Sequence, residues 1–79
     1  MGNIFSGFSE QELSIETKFG RKVRCIRILK NISQEDLSFR SGLNRNYISD
    51  TERGKRNVSL RSIQKIANGL QIDIVELFR

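Results

Sequence analysis

Arg45, Asn46 and Tyr47 follow one another directly: a long cationic donor, an amide that can pair with two groups at once, and an aromatic with a polar tip. Arginine bonds guanine O6 and N7 through two parallel N–H groups, and asparagine bonds adenine N6 and N7 in the same way. At the front of an exposed helix, such a trio suits base-pair edges in a major groove. The competing reading is that Arg45 and Asn46 are ordinary solvated residues of a helix start. Asp50 falls on the same outward face as Asn46 and Arg53. An acid there either repels phosphates or accepts a hydrogen bond from cytosine N4, and the sequence does not choose between these roles.

For these side chains to act together, the chain must hold them on helices, and helix signals recur along it. Each consists of an apolar residue, a short polar cap, and a second apolar residue five positions after the first, the pattern of a hydrophobic staple around an N-cap. The instances are Phe8-Ser9 with Leu13, Ile32-Ser33 with Leu37, Leu43-Asn44 with Ile48, Val58-Ser59 with Ile63, and Ile72-Asp73 with Leu77. Ser9 and Glu12 also form a capping box, Asp36 takes the box position after Ser33, and Glu76 does so after Asp73. Asn31, Gly42 and Gly54 are suited to the left-handed residue that ends a helix.

Helices are therefore expected at about 10–30, 34–41, 45–53, 60–70 and 74–78. The first is either one helix or two, since Gly20 inside it costs roughly 1 kcal/mol relative to alanine. Ile15, Phe19, Val23 and Ile26 fall on one face of it, and Ile63, Ile66, Ala67 and Leu70 on one face of the fourth, as core stripes. With no proline and few alternating β-branched runs, strands are hard to place. The fold class expected is all-α with five helices. Residues 33–54 then read as two short helices about a tight turn at Gly42, the second opening on Arg45.

Composition narrows the chemistry. The 79 residues make one small domain, with one cysteine and no histidine. A disulfide within the chain is impossible, no zinc site of the usual ligand count can be assembled, and no catalytic nucleophile–base set is in view, so neither an enzyme nor a cofactor is expected. Cys25 is read as an inert, partly buried small side chain. No apolar run approaches the roughly 20 residues of a membrane span, and no secretory signal opens the chain, so a cytoplasmic location is expected. The start Met1-Gly2-Asn3-Ile4-Phe5-Ser6 matches an N-myristoylation pattern, but an uncharged, flexible stretch over 1–8 is the simpler reading.

The net charge of +5 is unevenly spread. Residues 1–17 carry three glutamates and no basic residue, residues 18–56 an excess of +7, and residues 57–79 only +1. A concentrated positive field favours a polyanion, and nucleic acid is the commonest in a cytoplasm; a solvated Lys/Arg face is the bland alternative.

Over residues 20–78 the chain resembles the phage-repressor-type helix-turn-helix family, also called the xenobiotic-response-element family. The resemblance is carried by Ile26-Arg27, Ser33-Gln34-Glu35-Asp36-Leu37, Gly42-Leu43, Tyr47-Ile48-Ser49, Glu52-Arg53-Gly54, Ile66-Ala67 and Leu70. The run from Asn44 to Ser49, with Arg56-Asn57, is similar to the controller proteins of restriction–modification operons. Where the family usually has alanine, Ser38 stands; a serine there can bond back to a helix carbonyl, so tolerance rather than a new function is expected.

The resemblance implies a helix-turn-helix over 34–53 within a DNA-binding domain 9–79, and dimerisation through 60–79. It implies DNA contacts from Ser33, Gln34, Asn44, Arg45, Asn46, Tyr47, Ser49, Lys55, Arg56 and Asn57. Gln34 resembles a family glutamine that bonds a phosphate, and Arg56 a controller-family arginine that reaches the DNA, an ordinary loop charge being its alternative. Ser33 and Asn44 are caps first, with phosphate contact as a second duty. Tyr47 either lies at the DNA boundary with its hydroxyl on a phosphate or covers the junction of helices 2 and 3. Arg27 and Glu52 resemble a structural pair that sets the angle of the recognition helix, a solvated pair being the alternative.

Ile74, Val75 and Phe78 have no obvious partner within the chain and are expected at the dimer interface, unless Phe78 folds back onto helix 1. The implied function is a sequence-specific transcription regulator, repressor or activator. As a homodimer it would bind a pseudo-palindromic double-stranded DNA operator, with two dimers on one operator and RNA polymerase as further partners left open. Two other readings stand beside it: an antitoxin or small phage repressor acting on its own operon, and a protein-interaction module of a different class.

Overall fold

The computed structural model describes residues 13–79. The Phe8-Ser9 staple, the Ser9–Glu12 box, the flexible start over 1–8, the myristoylation pattern and the first residues of the expected helix 10–30 lie outside the described residues.

Four α-helices are present: α1 Ile15–Leu29, α2 Gln34–Ser41, α3 Arg45–Glu52 and α4 Leu60–Leu70. The fifth expected helix is instead a short 3-10 turn, Ile74–Phe78. The Glu76 amide bonds the Asp73 carbonyl at 2.9 Å, three residues back, and a single turn of this kind places Leu77 inside without continuing as an α-helix. No strand occurs among the described residues.

Four of the starts lie where the caps put them. The side chains of Ser33, Asn44, Ser59 and Asp73 each accept a hydrogen bond from a first-turn amide, from Asp36, Asn46, Ser62 and Val75 in turn. The start of α1 is different. Ser14, not Ser9, is the cap, accepting from the Thr17 amide at 3.1 Å, and residues 13 and 14 are not helical. The helix expected from about residue 10 therefore opens at Ile15. Asn31, Gly42 and Gly54 all take positive φ, as expected, and Gln71 joins them at 58° after α4.

Phe19 and Val23 of α1, Ile32, Leu37 of α2, Ile48 of α3, Ile63, Ile66, Ala67 and Leu70 of α4, and Leu77 form one core. Leu43, Val58 and Ile72, the outer halves of three staples, are partly buried against it. At α2, α3, α4 and the 3-10 turn the staples therefore mark where the element begins and also seal the core at that point.

α1 is one continuous helix, and Gly20 explains its placement rather than breaking it. A Cβ built at Gly20 would lie 2.1 Å from the Thr51 carbonyl oxygen and 2.8 Å from that of Glu52. α1 thus lies directly against the C-terminal turn of α3, an approach that only a residue without a side chain permits. Ser38 is accommodated in the turn. Its hydroxyl donates to the Leu43 carbonyl across the turn, not to its own helix, and so closes the Gly42 bend.

Candidate nucleic-acid interface

The angle of α3 is held by one guanidinium. Arg27, on α1, donates from Nε to Glu52 Oε2 at 2.6 Å and from Nη2 to Glu52 Oε1 at 3.0 Å. Its Nη1 donates to the Ile32 carbonyl at 2.8 Å, in the link before α2. Gln34 Nε2 adds a bond to Glu52 Oε1 at 3.0 Å. Three helices therefore converge on one carboxylate whose side chain is 2% exposed. A charge so enclosed is tolerable because both its oxygens are bonded and its partner is bidentate.

Gln34 is consequently half-engaged. One N–H of its amide is committed to Glu52, leaving the second uncommitted. Ser33 and Asn44 are likewise engaged as caps, Ser33 with the Asp36 amide at 2.9 Å and Asn44 with the Asn46 amide at 2.7 Å. These bonds orient the first turns of α2 and α3, and their remaining amides are the groups that helix N-termini offer to phosphate oxygens.

The Asn44 cap sets Arg45 and Asn46 in the first turn of α3, both exposed. Neither side chain makes a hydrogen bond or ion pair among the described residues, so the donors of both are uncommitted. Ser49, one turn further on, is half-buried, and Lys55 and Asn57 are exposed in the loop after Gly54. That loop is fastened to α3: the Lys55 amide bonds the Asp50 carbonyl at 2.9 Å, and the Arg56 guanidinium lies 4.4 Å above the Tyr47 ring. Tyr47 thus carries Arg56 on its face, a cation–π contact that neither reading of the tyrosine anticipated.

Asp50 completes the group. Its Oδ1 accepts from Arg53 Nη2 at 2.9 Å, and its Oδ2 lies 3.7 Å from Arg56 Nη2. The sequence shows Asp50 and Arg53 on one face at i,i+3, but no periodicity announces the contacts of Arg56 with residues six and nine positions earlier.

Phe78 has a partner in its own chain. Its ring centroid lies 5.6 Å from that of Phe19 on α1, so the expectation of an unpartnered Phe78 is corrected, although 57% of it remains exposed. Ile74 is half-buried against the core, and Val75 is 44% exposed. Cys25 is exposed, not partly buried, because α1 turns it away from the Phe19–Val23 stripe.

The helix-turn-helix family model matches residues 23–77, which include all of α2, the turn, α3 and α4. This chain belongs to the helix-turn-helix family. Among its relatives is the control protein C.BamHI of Bacillus amyloliquefaciens, 52% identical over 65 residues, covering 81% of this chain and 80% of that protein. The crystal structure of the restriction–modification controller protein C.AhdI from Aeromonas hydrophila is similar at a TM-score of 0.78 with 51% identity, covering 80% of this chain and 96% of that one. The controller protein C.Esp1396I, solved as a tetramer in complex with its natural 35 base-pair operator, matches at a TM-score of 0.78 with 37% identity, over 85% of this chain and 88% of that one. No helix among the described residues is long and apolar enough to cross a membrane.

Proposed function

We propose that this chain is the controller protein of a restriction–modification operon, a sequence-specific transcription regulator that binds a pseudo-palindromic operator as a homodimer in the cytoplasm. The observation that carries the reading is the front of α3, where Arg45 and Asn46 stand exposed and uncommitted on a helix whose angle is held by Arg27 and Glu52. Each subunit places α3 in the major groove of one half-site, with Arg45 and Asn46 toward base edges. The Ser33 and Asn44 helix starts, Gln34, Tyr47, Ser49, Lys55, Arg56 and Asn57 face the flanking sugar–phosphate backbone. Relatives named as controller proteins, one of them solved on its operator, support this assignment. Two dimers on one operator and a contact with RNA polymerase belong to the same reading.

The test is a binding titration against duplex DNA from the promoter of the chain's own operon. With about six to ten phosphates neutralised by the dimer, affinity falls roughly 10³–10⁵-fold between about 50 and 200 mM salt. A flat salt response, or equal affinity for a scrambled duplex, would remove the reading.

A further inference from the structure

Asp50 is an acid on the face that α3 presents to a polyanion, where a carboxylate alone would be unfavourable. Its surroundings give it a task. Oδ1 holds Arg53 at 2.9 Å, and Oδ2 lies 3.7 Å from Arg56, whose guanidinium also rests 4.4 Å from the Tyr47 ring centroid. Asp50 is one-third exposed, and Arg53 and Arg56 are 62% and 43% exposed, so both arginines remain within reach of a ligand while the carboxylate sits between them.

We infer that Asp50 is a specificity-determining positioning residue, which orients Arg53 and Arg56 as a paired set of donors for the operator and offsets part of their charge toward DNA in general. The inference rests on the DNA-binding reading above and adds to it. Two adjacent arginines without a counter-ion repel each other and sample many rotamers, and that freedom is given up on binding. Held by one carboxylate and one aromatic face, they meet their targets with less ordering left to do. The same carboxylate reduces the net charge of the face, and sequence-independent attraction to DNA scales with the phosphates neutralised. Specific binding gains from the orientation, whereas non-specific binding is weakened by the offset.

The experiment measures binding of wild type and Asp50→Asn to the operator duplex and to a scrambled duplex of equal length, at about 150 mM salt. Without the orienting carboxylate, Asp50→Asn binds the operator about tenfold more weakly, and the added positive charge strengthens scrambled binding a few-fold, so the specificity ratio contracts from both ends. Asp36→Asn is the control for bulk charge: it removes the same charge from α2 and breaks the Asp36–Arg40 pair at 3.4 Å without touching Arg53 or Arg56. If Asp50→Asn and Asp36→Asn shift both duplexes by the same factor, only bulk charge is at work and the inference is overturned.

The second arm repeats Asp50→Asn in an Arg53→Ala/Arg56→Ala background. Action through the arginines makes the operator effect vanish there. An effect that persists in full means the carboxylate meets DNA directly, as by accepting from cytosine N4, and also overturns the inference. A wild-type chain that binds neither duplex removes the proposed function itself, and this inference with it, whereas wild-type operator binding with an inert Asp50→Asn removes the inference alone.

Discussion

The Arg27 guanidinium grips both oxygens of Glu52 across the α1–α3 contact, at 2.6 and 3.0 Å, with side-chain exposures of 11% and 2%. Such a pair adds little net stability compared with apolar residues of the same shape, but removing one partner leaves the other buried and uncompensated. Glu52→Ala is expected to cost about 3–5 kcal/mol, and in a domain of this size the whole core supplies only about 3–5 kcal/mol. Chemical denaturation of the variant should find much of the population unfolded without denaturant. A midpoint equal to wild type would show the pair to be dispensable.

Arg45 and Lys55 separate base reading from phosphate contact. Arg45→Ala should cost about 1–3 kcal/mol on the operator and relax preference at a single base pair. Lys55→Ala should weaken all duplexes alike and reduce the salt slope by about one unit, the share of a single phosphate. Competition binding against operators altered one base pair at a time distinguishes the two. If Arg45→Ala weakens every duplex uniformly, Arg45 is a phosphate ligand and not a reader.

Gly20 sets how closely α1 meets α3. Alanine would improve helix propensity by about 1 kcal/mol, but its Cβ would fall 2.1 Å from the Thr51 carbonyl oxygen. That oxygen belongs to backbone and cannot rotate aside, so overpacking of about 1–3 kcal/mol prevails. Thermal melting of Gly20→Ala should show a lower midpoint, and a midpoint at or above that of wild type would mean that the helices part without penalty. Because the displaced segment carries Glu52, operator affinity should fall as well.

Dimerisation is best probed at Val75. Ile74 is partly buried against the core, so a charge there threatens the fold, whereas Val75 is 44% exposed and can be changed without that complication. Val75→Asp should retain the wild-type helical circular dichroism, sediment as a monomer and bind operator far more weakly. A two-fold dimer through α4 and the 3-10 turn implies half-sites centred about 10–11 base pairs apart, one turn of DNA. A Val75→Asp chain that still sediments as a dimer would move the interface elsewhere.

Much of this domain is legible in the chain itself, because its punctuation is local. Ser33, Asn44, Ser59 and Asp73 cap amides two or three residues ahead, and Asn31, Gly42 and Gly54 need only their own backbone angles to end a helix. These interactions span few residues and depend on residue type, so they are written directly in the sequence, as is the placement of Arg45 and Asn46 at the front of α3. The start of α1 is less legible, since the helix expected from about residue 10 opens at Ile15 behind the Ser14 cap.

Packing decided the rest. The Tyr47–Arg56 stack, the two arginines on Asp50, the Ser38 bond across the turn, the Gly20 approach to Thr51 and the return of Phe78 to Phe19 all require segments to be brought together in three dimensions. Such contacts follow from helix crossing geometry and from the path of the loop after Gly54, which no periodicity encodes. The chain's own sequence therefore determined which helices form and which donors they carry. Only the tertiary structure decided which donors stand free and which are already held.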